Sequence, residues 1–345
     1  MLTYRRKKHQ LHRQLKAFRQ FSGYVSVQHK HRVLFQQGYG FADETEQTIH
    51  TSSTTYRIGS LTKSFTAVAI LLLQAQGRLR VHDPVARYLP DYPNGDRITL
   101  HQLLSMSSGI PNYLNDLLFS RYNTKSGTYQ PGLSKDQLFS PRDLMACFQD
   151  KPLAFSPGSA YAYSNSNYVL LGYILEVVSG DSYSDFLQKH IFAPLGMTQS
   201  QYCPGPSNPT SSTGYDTIVP VPLPVFSFHN SLLFAAGGIT SSVRDLRLWL
   251  QALHDNSLLP ASLTQRLFTP ATNINGSSYG YAYGWIVDQT AAAPIAEHTG
   301  TTPGYSSYMY VDAVSRTSVI ICSNSWGEGT MFSEMYQCIL DILST

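Results

Sequence analysis

Hydrophobic and polar residues alternate along SGYVSVQHKHRVLFQQGYGFA, residues 22–42. Alternation at every second position is typical of half-buried strands, so this segment predicts two antiparallel strands that turn near His29 to His31. Soon afterwards RIGSLTKSF leads into the apolar run TAVAILLL, which predicts a buried central helix. The chain therefore opens with a sheet and continues into a helix.

The middle of the chain is predicted to be mostly helical. Apolar residues at helical spacing, separated by Pro, Gly and Ser, predict helices at residues 100–106, 141–150, 167–180 and 183–197. Residues 203–226 are rich in Pro, Ser and Thr, which predicts a long loop that returns the chain to its first part.

The last third of the chain again favours strands. A helix is predicted at residues 240–254, and it is followed by strand-like runs at 279–289, 304–313 and 316–324 and a final helix at 329–343.

Strands from both chain ends would then share one sheet. The predicted fold class is α/β (α+β), an antiparallel sheet flanked by helices with an inserted, mostly helical domain. We expect a sheet domain of residues 1–80 and 215–345 and a helical domain of residues 81–214, with the active site in the cleft between them.

Composition supports a folded chain. Of 345 residues, 42% are hydrophobic and 14% are charged, which suits a large packed core and argues against disorder. The net charge of +3 is uneven: the first 32 residues hold nine Lys or Arg and no acid, whereas the remainder holds 16 basic against 22 acidic residues, or −6.

The basic leader, residues 1–21, has two interpretations. It is either a patch for nucleic acid or anionic membranes, or a terminal helix that packs Leu11, Leu15 and Phe18; we favour the helix and expect no nucleic-acid partner. It has no apolar stretch of signal-peptide length, and no run of 18 apolar residues occurs anywhere. We therefore expect no membrane span, and a cytoplasmic protein as the sequence stands, or an exported one if a leader has been removed.

Metal and cofactor motifs are not found in the sequence. Cys147, Cys203, Cys322 and Cys338 lie far apart without CxxC spacing and are interpreted as free, buried thiols. The eleven histidines include no HExxH, and there is no phosphate loop or dinucleotide fingerprint. We expect no metal and no cofactor.

Ser60 and Lys63 lie three residues apart at the start of the central helix, so their side chains share one side of it. A helix N-terminus supplies unpaired N–H groups and a positive dipole end, which favour negative charge on an attacked carbonyl. Burial would make the neutral Lys63 amine available to take the serine proton. Alternatively, Ser60 caps the helix and Lys63 is solvated, and this motif by itself does not decide.

Two further motifs follow downstream, Tyr163-Ser164-Asn165 and His298-Thr299-Gly300. SxxK, YxN and HTG in this order resemble the serine beta-lactamase and penicillin-binding protein superfamily, in particular the branch of class C beta-lactamases, D-alanyl-D-alanine carboxypeptidases and related esterases. Phrases such as ITLHQLLSMSSGIP, FSPGSAYAYSN, IFAPLGM and AAGGITSSVRDLRLWL extend the resemblance from Tyr24 to the end of the chain.

The resemblance implies a role for each motif residue. Ser60 matches the nucleophile, and Lys63 matches the lysine that accepts its proton or holds the electrostatics for that transfer. Tyr163 matches the tyrosine that shuttles a proton to the leaving group and activates the deacylating water, as a phenolate favoured by a neighbouring cation or as a hydrogen-bonded phenol. Which of Lys63 and Tyr163 acts first as the base stays open.

The remaining implied roles concern substrate binding. Asn165 matches the amide that binds the acyl side chain of the substrate, or else it caps the following helix. The oxyanion hole maps to the backbone N–H groups of Ser60 and Thr301. His298 stands where many relatives carry lysine, and Gly300 would let substrate backbone approach the strand edge.

The implied function is a serine acyl hydrolase, first of all of the D-alanyl-D-alanine carboxypeptidase or penicillin-binding type, that takes a beta-lactam or a D-amino acid peptide or ester. The segment YAYGWIVDQTAAAPIAE before HTG, however, has no Arg or Lys to hold a terminal carboxylate. Protonated His298, helped by the Thr299 and Thr301 hydroxyls, would have to replace that cation, or the substrate is a neutral ester. The alternatives are a carboxylesterase, a beta-lactamase, or a non-catalytic binding protein; the oligomeric state stays open.

Overall fold

The structure is a computed structural model. It describes residues 2–18, 21–30, 32–118, 122–123, 128–129, 137–202, 211–216, 223–224, 229–290, 295–326 and 329–344. The α-helices are α1 Leu2–Leu15, α2 Thr62–Ala75, α3 Leu100–Leu104, α4 Tyr113–Leu118, α5 Pro141–Ala146, α6 Asn165–Ser179, α7 Tyr183–Leu187, α8 Ala193–Leu195, α9 Phe234–Gly237, α10 Val243–His254, α11 Ala261–Arg266 and α12 Gly329–Ser344.

The strands are mostly short outside one large sheet. They are β1 Gly23–His29, β2 Arg32–Tyr39, β3 Phe41–Asp43, β4 Thr48–Ile49, β5 Thr55–Arg57, β6 Tyr122–Asn123, β7 Thr128–Tyr129, β8 Gln201–Tyr202, β9 Tyr215–Asp216, β10 Leu223–Pro224, β11 Ile239–Ser242, β12 Thr272–Asn273, β13 Tyr279–Tyr281, β14 Ile286–Asp288, β15 Ile295–Thr302, β16 Tyr305–Asp312, β17 Thr317–Ser323 and β18 Ser325–Trp326.

Strands from both chain ends form one antiparallel sheet, in the order β12-β13-β14-β15-β16-β17-β1-β2. The N-terminal hairpin joins the C-terminal strands because β1 pairs with β17 from Gly23↔Ser323 to His29↔Thr317. The predicted fold class is therefore confirmed. The predicted strand at 279–289 is two strands, β13 and β14, and the HTG segment lies within a full strand, β15.

Helices cover both faces of the sheet because its side chains alternate. On one face, α1 and α12 pack over a cluster that includes Val319 and Ile321. On the other face, Ile320 and Cys322 join the larger core that α2, α6 and α10 help to form.

The leader helix is confirmed as α1. Leu11 and Leu15 are fully buried and Phe18 packs against the same cluster. Within the described residues, none of the helices combines the length and the apolar character that crossing a bilayer requires.

The helical middle region follows the predicted pattern with shorter elements. A capping box of Thr99 and Gln102 starts α3, and Gly180, with a φ of +77°, ends α6. The helix predicted at 183–197 is interrupted, since residues 188–192 form a π-helical turn between α7 and α8. The helix predicted at 240–254 begins at Val243, because the residues before it form β11.

Other expectations fall partly outside the described residues. Most of the predicted loop at 203–226 lies outside the described residues, although its described parts contain β9 and β10. Cys322 is a free, buried thiol as predicted, whereas Cys338 is free but only half-buried. Cys147 is also half-buried, and its thiol donates to the Asp143 carbonyl at 3.4 Å; Cys203 lies outside the described residues. The division into domains at residues 80 and 215 stays a prediction.

Candidate active site

Ser60 lies in a single 3₁₀ turn, Gly59–Leu61, that runs directly into α2. The sequence predicts it in the first turn of the α-helix; from the 3₁₀ turn its Oγ still lies 3.0 Å from Lys63 Nζ. Gly59 has a φ of +51°, and a side chain there would lie 2.8 Å from the Thr301 nitrogen. The turn therefore packs directly against β15.

Lys63 is fully buried in the first turn of α2. Its Nζ lies 3.0 Å from Ser60 Oγ, 2.8 Å from Asn165 Oδ1 and 2.7 Å from the Ala236 carbonyl oxygen. These contacts join α2 to the start of α6 and to α9, although Asn165 and Ala236 each lie more than a hundred positions from Lys63 in the sequence. The alternative in which Lys63 is solvated is therefore wrong.

Burial lowers the pKa of Lys63 well below its ordinary value. A neutral amine has two protons and one lone pair. The Asn165 and Ala236 oxygens can only accept, so they take the two N–H groups. The lone pair is then left for Ser60, and the geometry suits transfer of the serine proton to Nζ.

Tyr163 contacts the same serine from the other side. Its hydroxyl donates to Ser60 Oγ at 2.8 Å, and its ring lies 4.9 Å from Lys63 Nζ, measured to the ring centroid. Burial raises the pKa of Tyr163, so it is a phenol at neutral pH and not the phenolate that we considered. It can give a proton to a leaving group.

Asn165 is the first residue of α6, and Ser164 occupies the capping position without a side-chain capping bond. The Asn165 side chain accepts from Lys63 and donates through Nδ2 to Asn112 Oδ1 at 3.3 Å. Asn112 also accepts from the Asn165 backbone N–H at 3.2 Å. The capping alternative is thus wrong, and the amide instead holds the lysine.

The HTG residues alternate along β15. His298 and Gly300 are buried, whereas Thr299 and Thr301 are exposed on the opposite side of the strand. A side chain on Gly300 would lie 2.0 Å from the Ile58 carbonyl oxygen. The close approach that Gly300 permits is therefore with the chain's own backbone, rather than with the substrate backbone that we expected.

The Thr301 N–H faces the Ser60 turn. Thr302 pairs with Tyr305 beside the two-residue turn, and the next pair is Thr301 with Ser306. Successive residues of an antiparallel strand direct their N–H groups alternately toward and away from the partner strand. The Thr301 N–H therefore points away from β16. A side chain on Gly59 would lie 2.8 Å from the Thr301 nitrogen, so this nitrogen lies beside the Ser60 turn, and the oxyanion-hole role of the two N–H groups stays a prediction.

The described strands β12 to β16 around His298 carry no Lys or Arg that could hold a carboxylate. Burial lowers the pKa of His298 to about 4, and Lys63 adds to this effect whenever it is protonated, so His298 is neutral at physiological pH. The sequence has no Lys or Arg between Arg266 and Arg316, which spans β12 to β16. Among the described residues, no group of three or more His, Cys, Asp or Glu side chains could hold a metal ion.

Sequence reasoning identified the residues that the structure brings together, but missed three neighbours. Asn112 directly follows the phrase ITLHQLLSMSSGIP, Ala236 lies within AAGGITSSV, and Tyr281 lies within the strand-like run before HTG. A backbone carbonyl such as that of Ala236 leaves no signal in a side-chain pattern. Asn112 and Tyr281 become visible only once distant segments meet.

The sheet built from both chain ends, with a serine, a buried lysine and a tyrosine in contact at its edge, defines the class of the protein: a serine hydrolase of the beta-lactamase and transpeptidase fold. A family model described as Beta-lactamase matches residues 11–343, and the chain belongs to this family. The resemblance that the motifs indicated is therefore confirmed.

Several relatives are similar to this chain over most of their own length. PbpX of Bacillus subtilis (strain 168), provisionally named a penicillin-binding protein, is 30% identical over 328 residues, which cover 92% of this chain and 75% of the relative. A solved penicillin-binding protein from Bacillus halodurans is 26% identical, with a TM-score of 0.81 over 97% of this chain and 98% of the other. A D-stereospecific amidohydrolase from a Streptomyces species is 27% identical, with a TM-score of 0.74 over 92% and 93%.

Proposed function

We propose that this protein hydrolyses amides or esters of D-amino acids through an acyl-enzyme on Ser60, and that the leaving group carries no charge. The observation that carries the proposal is the double contact of Ser60 Oγ, 3.0 Å from Lys63 Nζ and 2.8 Å from the Tyr163 hydroxyl. A base and an acid on one nucleophile are what acyl transfer requires. The name of the amidohydrolase relative supports the substrate class.

The proposed acylation uses both contacts. Ser60 Oγ attacks the carbonyl carbon while its proton passes to the Lys63 lone pair. The carbonyl oxygen becomes negative between the N–H groups of Ser60 and Thr301, each worth about 3 kcal/mol if it resembles other oxyanion donors. As the carbonyl carbon releases the leaving nitrogen or oxygen, that atom takes the Tyr163 proton.

Deacylation reverses these roles. The Tyr163 phenolate, now beside a protonated Lys63, takes a proton from the water that attacks the acyl carbon. Lys63 returns its proton to Ser60 Oγ as the ester bond breaks. Both side chains then hold the protons with which they began.

The charge of the site favours an uncharged leaving group over a terminal carboxylate. Burial lowers the pKa of Lys63, its Nζ is engaged by three partners, and the pKa of His298 is too low for it to be a cation at neutral pH. A carboxypeptidase of D-alanyl-D-alanine peptides, which the names of the penicillin-binding relatives favour, is the second candidate.

A substrate panel tests the proposal. D-amino acid amides and methyl esters, their L-enantiomers, a D-alanyl-D-alanine peptide and nitrocefin are compared by kcat/KM, and Ser60 labelling by a fluorophosphonate or a labelled penicillin is followed by intact mass. We expect turnover of neutral D-substrates and a label that disappears in Ser60→Ala but persists in Ser64→Ala. No label with either reagent would refute the serine mechanism, and preference for the free-acid peptide would favour the second candidate.

A further inference from the structure

Both ring nitrogens of His298 are occupied within the protein. Nδ1 lies 2.6 Å from the Thr299 carbonyl oxygen, and Nε2 lies 3.2 Å from the Tyr281 hydroxyl. A carbonyl oxygen can only accept, so Nδ1 carries the proton. In a neutral ring Nε2 is then the acceptor, and Tyr281 donates to it.

Tyr281 is fully buried at the end of β13, which restricts where its hydroxyl can point. Its ring centroid lies 5.9 Å from that of His298 and 6.2 Å from that of Tyr163, with interplanar angles of 82° and 81°. The Tyr168 hydroxyl donates to the Leu104 carbonyl at 3.0 Å and also hydrogen-bonds the Tyr281 hydroxyl, so Tyr281 contacts both His298 and Tyr168.

We propose that Tyr281 determines the leaving-group specificity of this site. Its hydroxyl donates to His298 Nε2, so this nitrogen offers a substrate carboxylate neither a hydrogen-bond donor nor a positive charge. Tyr281 acts through His298 and is thus a positioning residue. The inference rests on the proposed function and adds the residue that makes the site select uncharged leaving groups.

The surroundings of His298 agree with this role. Lys63 of α2, the Tyr163 phenol before α6 and the Tyr281 hydroxyl of β13 face it, and none of the three is an anion that would favour imidazolium. Burial lowers the pKa of His298 to about 4, and Lys63 adds to this effect whenever it is protonated. A hydrogen bond donated to Nε2 stabilises the neutral ring further.

The first test is Tyr281→Phe, which keeps the ring and removes the hydroxyl. Nε2 then loses its donor, so protonation of His298 becomes easier and a carboxylate gains a partner. At pH 5.5 we expect the kcat/KM ratio of a D-alanyl-D-alanine peptide to its methyl ester to rise about tenfold, as for one hydrogen bond to a charged group. The pKa of His298, followed by NMR of ¹⁵N-labelled histidine, should rise as well.

Tyr56→Phe is the matched control. Tyr56 is another fully buried tyrosine whose hydroxyl contacts a histidine, His50 Nδ1, at 2.7 Å. This variant should lose comparable stability and leave the substrate ratio unchanged. An equal change in both variants would overturn the proposal, as would an unchanged ratio, or an equal loss on both substrates, in a folded Tyr281→Phe.

A measurement on the parent protein keeps the proposal testable if Tyr281→Phe does not fold. The ¹⁵N shifts of His298 at pH 7 should show a neutral ring protonated at Nδ1; a proton on Nε2 would overturn the proposal. Failure of the proposed function is distinguishable, because the parent would then neither label on Ser60 nor turn over either substrate.

Discussion

Replacing Gly300 by alanine tests whether the close packing of β15 on the Ser60 turn is needed for acylation. The new Cβ would lie 2.0 Å from the Ile58 carbonyl oxygen and 2.4 Å from Ser307 Oγ. Ordinary C···O contacts are about 3.3 Å or longer, so something must move by roughly 1 Å.

The Ile58 carbonyl cannot move alone. It accepts from Ser307 Oγ at 2.8 Å and from the Leu61 N–H at 3.2 Å, and the second of these bonds belongs to the turn that holds Ser60. Since β16 holds β15 from its other side, the clash should separate the Ser60 turn from the Thr301 N–H. A misplacement of about 1 Å costs about 100-fold in rate, and loss of one oxyanion donor costs a similar factor.

We therefore expect Gly300→Ala to label on Ser60 about 100-fold more slowly, with a stability loss of about 1–3 kcal/mol from overpacking. The assay is the second-order rate of fluorophosphonate labelling by intact mass, together with urea unfolding. Gly77→Ala is the control: Gly77 has a φ of +71° and no neighbouring atom within 4 Å of the added Cβ. It should lose about 1 kcal/mol through strain and keep the parent rate.

Two outcomes would refute this reasoning. A folded Gly300→Ala that labels at the parent rate would show that the packing of β15 on the turn is not required. Equal slowing of both glycine variants would attribute the effect to stability rather than to geometry.

Three other predictions concern the buried groups of the site. Lys63→Met should slow labelling of Ser60 by about 1000-fold or more, because the proton acceptor is lost; labelling near the parent rate would exclude Lys63 as the base. Tyr163→Phe should slow deacylation at least as much as acylation, so that acyl-enzyme accumulates in intact-mass spectra during turnover; unchanged rates would exclude the phenol. Between pH 6.5 and about 4 the unfolded chain binds a proton that buried His298 does not, so stability falls as pH falls, by up to about 3 kcal/mol from this residue. Urea unfolding at pH 7 and 4.5 measures this loss of stability, which should be smaller in His298→Asn. An equal loss in both proteins would contradict the assignment.

Much of the fold could be predicted from the sequence, because periodicity is a local property. Alternation in residues 22–42 predicted the N-terminal hairpin, and the apolar run after Ser60 predicted α2. Where local pattern misled, packing had the larger effect: residues 240–242 pair with β5 as a strand although they continue a helical pattern. The π-helical turn at 188–192 likewise has no signature in apolar spacing.

Three short motifs in order were enough to determine the family and to nominate the candidate site, since each keeps its spacing within a few consecutive residues. The tertiary structure alone decided the chemical state of those residues. Distant segments bury Lys63 and lower its pKa, Asn165 faces Lys63 instead of capping its helix, and the space beside Gly300 is filled by the chain's own backbone. The pKa of an amine and the direction of a hydrogen bond depend on which atoms lie within a few ångströms, and long-range packing sets those distances.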